Sequence, residues 1–219
     1  DLPVTWEDDS FAPYDWGYFA FIHNKGVTPP QDFLELAKSD MKILIQDPRS
    51  STPGLGLLMW VKAAYGEDAA QVWGDLADNI VTVTKGWSES YGLFTDGEAD
   101  MVLSYTTSPA YHIIAEEDDT KAAAIFPEGH YFMVELAAKL ATTDNPELAD
   151  QFMAYVLTED FQSMIPTSNW SLPSALPQEK WPEGFRALPM PEKVLFYNED
   201  EAAALRDEAI EAWRSALSR

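Results

Sequence analysis

Trp87, Tyr105, Tyr111 and Trp170 are aromatic residues that follow a predicted strand or sit in a loop between elements. In open α/β sheets, ligands bind beyond the carboxyl ends of the strands. Aromatic faces in such loops stack on planar rings, and their electron-rich surfaces favour a cationic one. Each of the four, taken singly, also fits a hydrophobic core. A second candidate is Gln46-Asp-Pro-Arg-Ser-Ser-Thr-Pro-Gly54, a polar loop between a predicted strand and a predicted helix. A helix N-terminus turns its backbone N–H groups toward an anion, and Ser50, Ser51 and Thr52 add hydroxyl donors. The loop lacks the Gly-Lys-Ser/Thr of a Walker A motif. Helix capping by the same hydroxyls is the alternative reading.

Other chemistry is poorly supported. His112 and Glu116 have the i,i+4 spacing that joins two metal ligands on a helix, but no further histidine is close in sequence and two ligands make a weak site. His23 and His130 lie beside predicted strands and read as structural. Serine, histidine and aspartate are present without a Gly-x-Ser-x-Gly nucleophile elbow. Asp47 and Glu128 are a carboxylate pair only in the sense that any two acids are. With no cysteine, thiolate catalysis, Cys–zinc sites and disulfides are excluded.

The charge balance narrows the partners. With 14 Lys and Arg against 37 Asp and Glu, the net charge is −23. Such a field repels nucleic-acid backbones and anionic membranes, and attracts cations. At 46% hydrophobic and 13% aromatic, the 219 residues are enough for one large domain or two lobes. No apolar run approaches the ~18 residues of a membrane span. The opening on Asp1, without a visible signal peptide, is the expectation for a mature or trimmed chain.

The elements that must position these residues alternate. Residues 14–22 read as a buried strand, 31–38 as a short helix, and 42–45 as a strand. A helix over 55–65 follows, with Ser51 or Thr52 as cap and Pro53 in its first turn. Another helix is expected over 68–78, a strand over 81–84, a turn over 85–88, and a helix over 89–95. A strand over 101–105 leads to a turn over 106–109. Residues 131–140 start as strand and are expected to continue as helix. Helices are expected over 146–155 and 158–164, an irregular proline-rich stretch over 166–191, and a long helix over 199–217, with apolar residues at 202, 205, 209, 213 and 217. This alternation predicts an α/β fold.

Five blocks carry a resemblance: residues 46–56, 81–89, Leu103-Ser-Tyr-Thr-Thr-Ser-Pro-Ala-Tyr-His112, Glu128-Gly-His-Tyr131 and Ile165-Pro-Thr-Ser-Asn-Trp170. In that order, nearly end to end, the chain resembles the family of periplasmic thiamine-binding proteins of thiamine ABC transporters. The resemblance implies a type II periplasmic binding protein with two lobes and hinge crossover strands. It implies a crossover and a remnant of lobe 1 over 1–25, lobe 2 over 26–127, a return into lobe 1 over 128–170, and a C-terminal segment over 171–219 packing on lobe 2. It further implies that the N-terminal part of lobe 1, with an acidic-glycine loop that contacts ligand, has no counterpart here.

The same resemblance assigns ligand-binding roles. Ser51 corresponds to a hydroxyl at the phosphate or hydroxyethyl end, and Trp87, Tyr105, Tyr111 and Trp170 to an aromatic wall around the pyrimidine and thiazolium rings. It implies a monomer in the periplasm that captures thiamine, thiamine monophosphate or thiamine diphosphate as transported ligand. The partner would be an ABC transporter permease, with no enzyme activity, no cofactor, no metal and no nucleic acid. Two rivals remain. A ferric-iron-binding protein of the same superfamily would need a pair of adjacent tyrosines, whereas Tyr105 and Tyr111 are six apart. A hydrolase or transferase would need a nucleophile or acid–base pair, and none is specified.

Overall fold

The computed structural model describes residues 2–218. Its elements run β1 (Phe11–Asn24), α1 (Phe33–Lys38), β2 (Ile43–Gln46), α2 (Thr52–Tyr65), α3 (Ala69–Leu76), β3 (Ile80–Thr84), α4 (Trp87–Thr95), β4 (Met101–Tyr105) and α5 (Ser108–Ala115). Then come β5 (Lys121–Ala123), β6 (His130–Ala138), α6 (Pro146–Tyr155), α7 (Glu159–Gln162), α8 (Ile165–Ser168), β7 (Leu172–Pro173), α9 (Glu183–Arg186), β8 (Val194–Leu195) and α10 (Glu199–Leu217).

The strand order is β3-β2-β4-β1-β6-β8, with β5 and β7 also paired to β1. β2 lies parallel to β3 and β4, as the strand–helix alternation requires. β1 runs antiparallel to its neighbours and joins two sectors. Residues 19–24 pair with β4 and β5, while residues 11–18 pair with β6 and β7. Residues 15–23 are buried without alternation, because both faces of this strand are covered.

The largest core cluster lies between β1, β2, β4 and the helices α1, α2, α3 and α10. α2 is apolar nearly all round and buried accordingly. Its Gly56 is required by close approach, since an added Cβ would collide with the Phe19 ring. At the centre, Trp60 touches the rings of Phe33, Phe126 and His130, and its Nε1 donates to the Gly129 carbonyl at 2.8 Å. α10 starts on a capping box, in which Asn198 accepts from the Glu201 N–H and Glu201 accepts from the Asn198 N–H. It buries Ala209, Trp213 and Ala216, with Trp213 in the main cluster.

Three expectations need correction. Residues 130–138 are strand throughout, because the ladder with β1 overrides the helical propensity of Val134 to Ala138. Trp87 opens α4 and is not in the turn before it. Tyr111 lies within α5, a helix that begins at Ser108, inside the turn expected over 106–109. Pro109 stands in the first turn of α5, where its missing N–H removes no helical hydrogen bond.

Candidate functional site

One cavity of about 680 Å³ lies where α4, α5, the end of β4, β6 and the α8–β7 junction converge. Trp87, Tyr105, Tyr111 and Trp170 all line it. Each comes from a different element, so no local pattern could have joined them.

Local bonding fixes the wall. Trp87 Nε1 donates to Ser104 Oγ at 2.8 Å, and Ser104 Oγ lies 2.7 Å from Ser108 Oγ. These two bonds clamp the start of α4 to the β4–α5 turn. Tyr91, one helical turn beyond Trp87, stacks on it at 4.9 Å and on His112 at 5.8 Å. His112 bridges Tyr91 Oη at 2.8 Å and Glu116 at 2.7 Å, and the Glu116 carboxylate also bonds the Tyr111 hydroxyl and holds its pKa up. With Asp118, His112 and Glu116 offer ligand atoms within 4.8 Å of one another, although both His112 nitrogens are already engaged by Tyr91 and Glu116.

Trp170 stands edge-on to Tyr111 at 5.0 Å and packs on Phe185. Its backbone has φ +57°, the left-handed region that a non-glycine residue rarely adopts. The cause is helix termination. The N–H groups of Asn169 and Trp170 both reach back to the Ile165 carbonyl at the end of α8. Tyr105 is held protonated by burial and then by the charges of Glu135 and Asp15.

Ser51 does not line this cavity. It is the N-cap of α2 and makes no side-chain capping bond, so its hydroxyl is not used in holding the helix. Its loop is nevertheless tied to the segment before Trp87. The Asp47 N–H donates to the Thr84 carbonyl at 2.9 Å, and Ser50 Oγ donates to the Lys85 carbonyl at 2.8 Å. Asp47 and Glu128, the nominal acid pair, have separate roles: Asp47 binds Arg49, and Glu128 accepts from Tyr65 Oη at 2.5 Å. His130 is structural in its contacts. Nε2 accepts from the Phe126 N–H and Nδ1 lies 2.8 Å from the Phe19 carbonyl, while burial pulls its pKa down to about 4.

Sequence reasoning missed Tyr91, Met133, Glu135 and Asn169, all of which line the cavity. Tyr91 was signalled by its i,i+4 spacing from Trp87. Met133 and Glu135 alternate on one face of β6, which is a usable signal only once that segment is known to be strand.

The cleft lies on an α/β sheet and is lined by five Trp and Tyr side chains. The chain belongs to the bacterial extracellular solute-binding proteins, whose family profile matches residues 10–167. Over its full length it is 51% identical to the thiamine-binding periplasmic protein of Escherichia coli (strain K12), of which it covers 68%. It matches the solved structure of a periplasmic thiamin binding protein with TM-score 0.95 and 49% identity, over all of this chain and 70% of that one. A ferric binding protein from Campylobacter jejuni shares the fold with TM-score 0.78 at 15% identity, over 96% of this chain and 71% of that one.

Proposed function

We propose that this protein captures thiamine or a thiamine phosphate in the periplasm and delivers it to an ABC importer, without chemistry on the ligand. The observation that carries the reading is the cavity wall: the five Trp and Tyr side chains of Trp87, Tyr91, Tyr105, Tyr111 and Trp170, with two carboxylates and no lysine or arginine among the described lining residues. Thiamine joins a flat aminopyrimidine to a thiazolium cation. Flat electron-rich rings and negative charge match both parts. The names of the relatives point the same way.

In this reading Trp87, Tyr105, Tyr111 and Trp170 flank the two rings. Ser51, with the N–H groups at the start of α2, takes the phosphate or hydroxyethyl end. β1 serves as the crossover between two lobes, and ligand favours the closed form by binding it more tightly than the open one. No cofactor has a role.

Tryptophan fluorescence tests this. Thiamine and its mono- and diphosphate are expected to change the emission saturably, whereas Fe³⁺ is not. Absence of any change with all three thiamine forms, confirmed by calorimetry, would overturn the proposal, and a response to Fe³⁺ alone would favour the iron-binding rival. Ser51→Ala is expected to weaken the phosphorylated forms about tenfold and thiamine less, as befits one lost hydrogen bond to a charged group. Equal loss for all forms would move Ser51 away from the phosphate.

A further inference from the structure

Asp15 on β1 and Glu135 on β6 are direct cross-strand partners. Like charges placed opposite each other destabilise a sheet, and no ion pair among the described residues involves either acid. The pair is held by neutral donors only. Asn169 Nδ2 donates to Asp15 Oδ2 at 2.6 Å and to Glu135 Oε2 at 3.2 Å, and Tyr14 Oη donates to Glu135 Oε2 at 2.5 Å. Both donors to Glu135 fall on Oε2, so neither occupies Oε1. Asp15 is fully buried, and its Oδ1 has no hydrogen-bond partner among the described residues. Buried carboxylates are ordinarily paired, and this pair has no cationic partner among the described residues.

A cationic partner has a place to come from. Glu135 lines the cavity beside Met133, Asn169 and Trp170, and Tyr105 shares that wall. The other lining acid, Glu116, is already engaged by His112 and is 45% exposed. We propose that Glu135, backed by Asp15, is the charge-selecting residue of the cleft, the counter-ion to a flat cationic ring held against Tyr105 and Trp170. Asn169 and Tyr14 are positioning residues, which fix the carboxylate while leaving Oε1 for the ligand. This rests on the thiamine reading above and adds which carboxylate selects the cation.

The test compares thiamine with its neutral isostere, in which a thiophene ring replaces the thiazolium, by calorimetry on the full chain. Wild type is expected to prefer thiamine by at least about tenfold, the scale of one desolvated charge contact. Glu135→Gln should reduce that preference to within about threefold by weakening thiamine alone. Glu135→Asp, which retains the carboxylate, should keep the preference. Glu135→Leu, which also relieves the repulsion with Asp15, carries the same expectation as Glu135→Gln and serves if the amide variant does not fold. A preference unchanged in Glu135→Gln or Glu135→Leu would overturn the assignment while leaving the thiamine reading intact. A wild-type chain that binds neither compound would overturn both.

Discussion

The sector around β2, β3 and β4 and the stretch from β6 to α8 cover their apolar surface to different extents. In the first, α2 and α3 bury Leu57, Trp60, Val72, Trp73 and Leu76 against the sheet and α10. In the second, α6 buries none of its residues, and Leu140, Leu148, Phe152 and Met164 are all exposed, Leu140 by 72%. Both stretches have apolar residues at helical or strand spacing. Patterning therefore says which residues require cover, and only tertiary structure says whether this chain supplies it. The candidate site sits between the two, with Trp87, Tyr105 and Tyr111 from the covered sector and Glu135 and Trp170 from the open one.

Truncation tests that contrast most strongly. Trp60→Ala should lower stability by about 3–5 kcal/mol in urea unfolding, because a fully buried indole with four aromatic neighbours leaves a cavity. Phe152→Ala, at a side chain 53% exposed, should stay within about 0.5 kcal/mol. Equal losses would abolish the distinction between the sectors.

The next effect is a pH dependence with opposite signs on β1 and β6. Asp15 has its pKa pushed up to about 7, mainly by burial and further by the charge of Glu135, against the Asn169 hydrogen bond. The folded state thus holds this proton more tightly than the unfolded one. The stabilisation is complete below about pH 3.8 and lost as pH rises to about 7. His130 runs the other way. Its contribution is complete above about pH 6.5 and lost as pH falls to about 4. Asp15→Asn should therefore raise stability at pH 8 by on the order of 2–4 kcal/mol, with the gain shrinking toward pH 4. A gain independent of pH would mean that the charge on Asp15 is not what the fold resists.

The smallest effect lies in the backbone of Trp170. Glycine adopts its left-handed conformation without strain. Trp170→Gly should accordingly be about 1 kcal/mol more stable than Trp170→Ala, and both should reduce the ligand-induced fluorescence change, leaving Trp87 as reporter. Equal stability of the two variants would show that the helix end relaxes and stores no strain.

Several elements were legible from local residue order. The strand at 101–105 and the helix at 199–217 occur at the expected bounds, and the apolar run at 14–22 lies within β1. Pro53 and the small residues before it correctly signalled the start of α2. Residues 130–138 were misread because Val-Glu-Leu-Ala-Ala suits a helix until β1 offers a ladder. The aromatic candidates were visible as residues in unusual places, and the tyrosine-tryptophan blocks carried the family resemblance. Their convergence was not visible, since Trp87 and Trp170 are 83 positions apart.

By itself, the sequence determined an acidic, cysteine-free α/β chain rich in aromatics, because composition and periodicity depend only on residue types and their order. Tertiary structure alone decided that Asp15 faces Glu135 across a strand pair, that Asn169 bridges them, and that Ser51 stands off the aromatic cavity. Those facts depend on register and on which loops meet, and neither is encoded within any single segment.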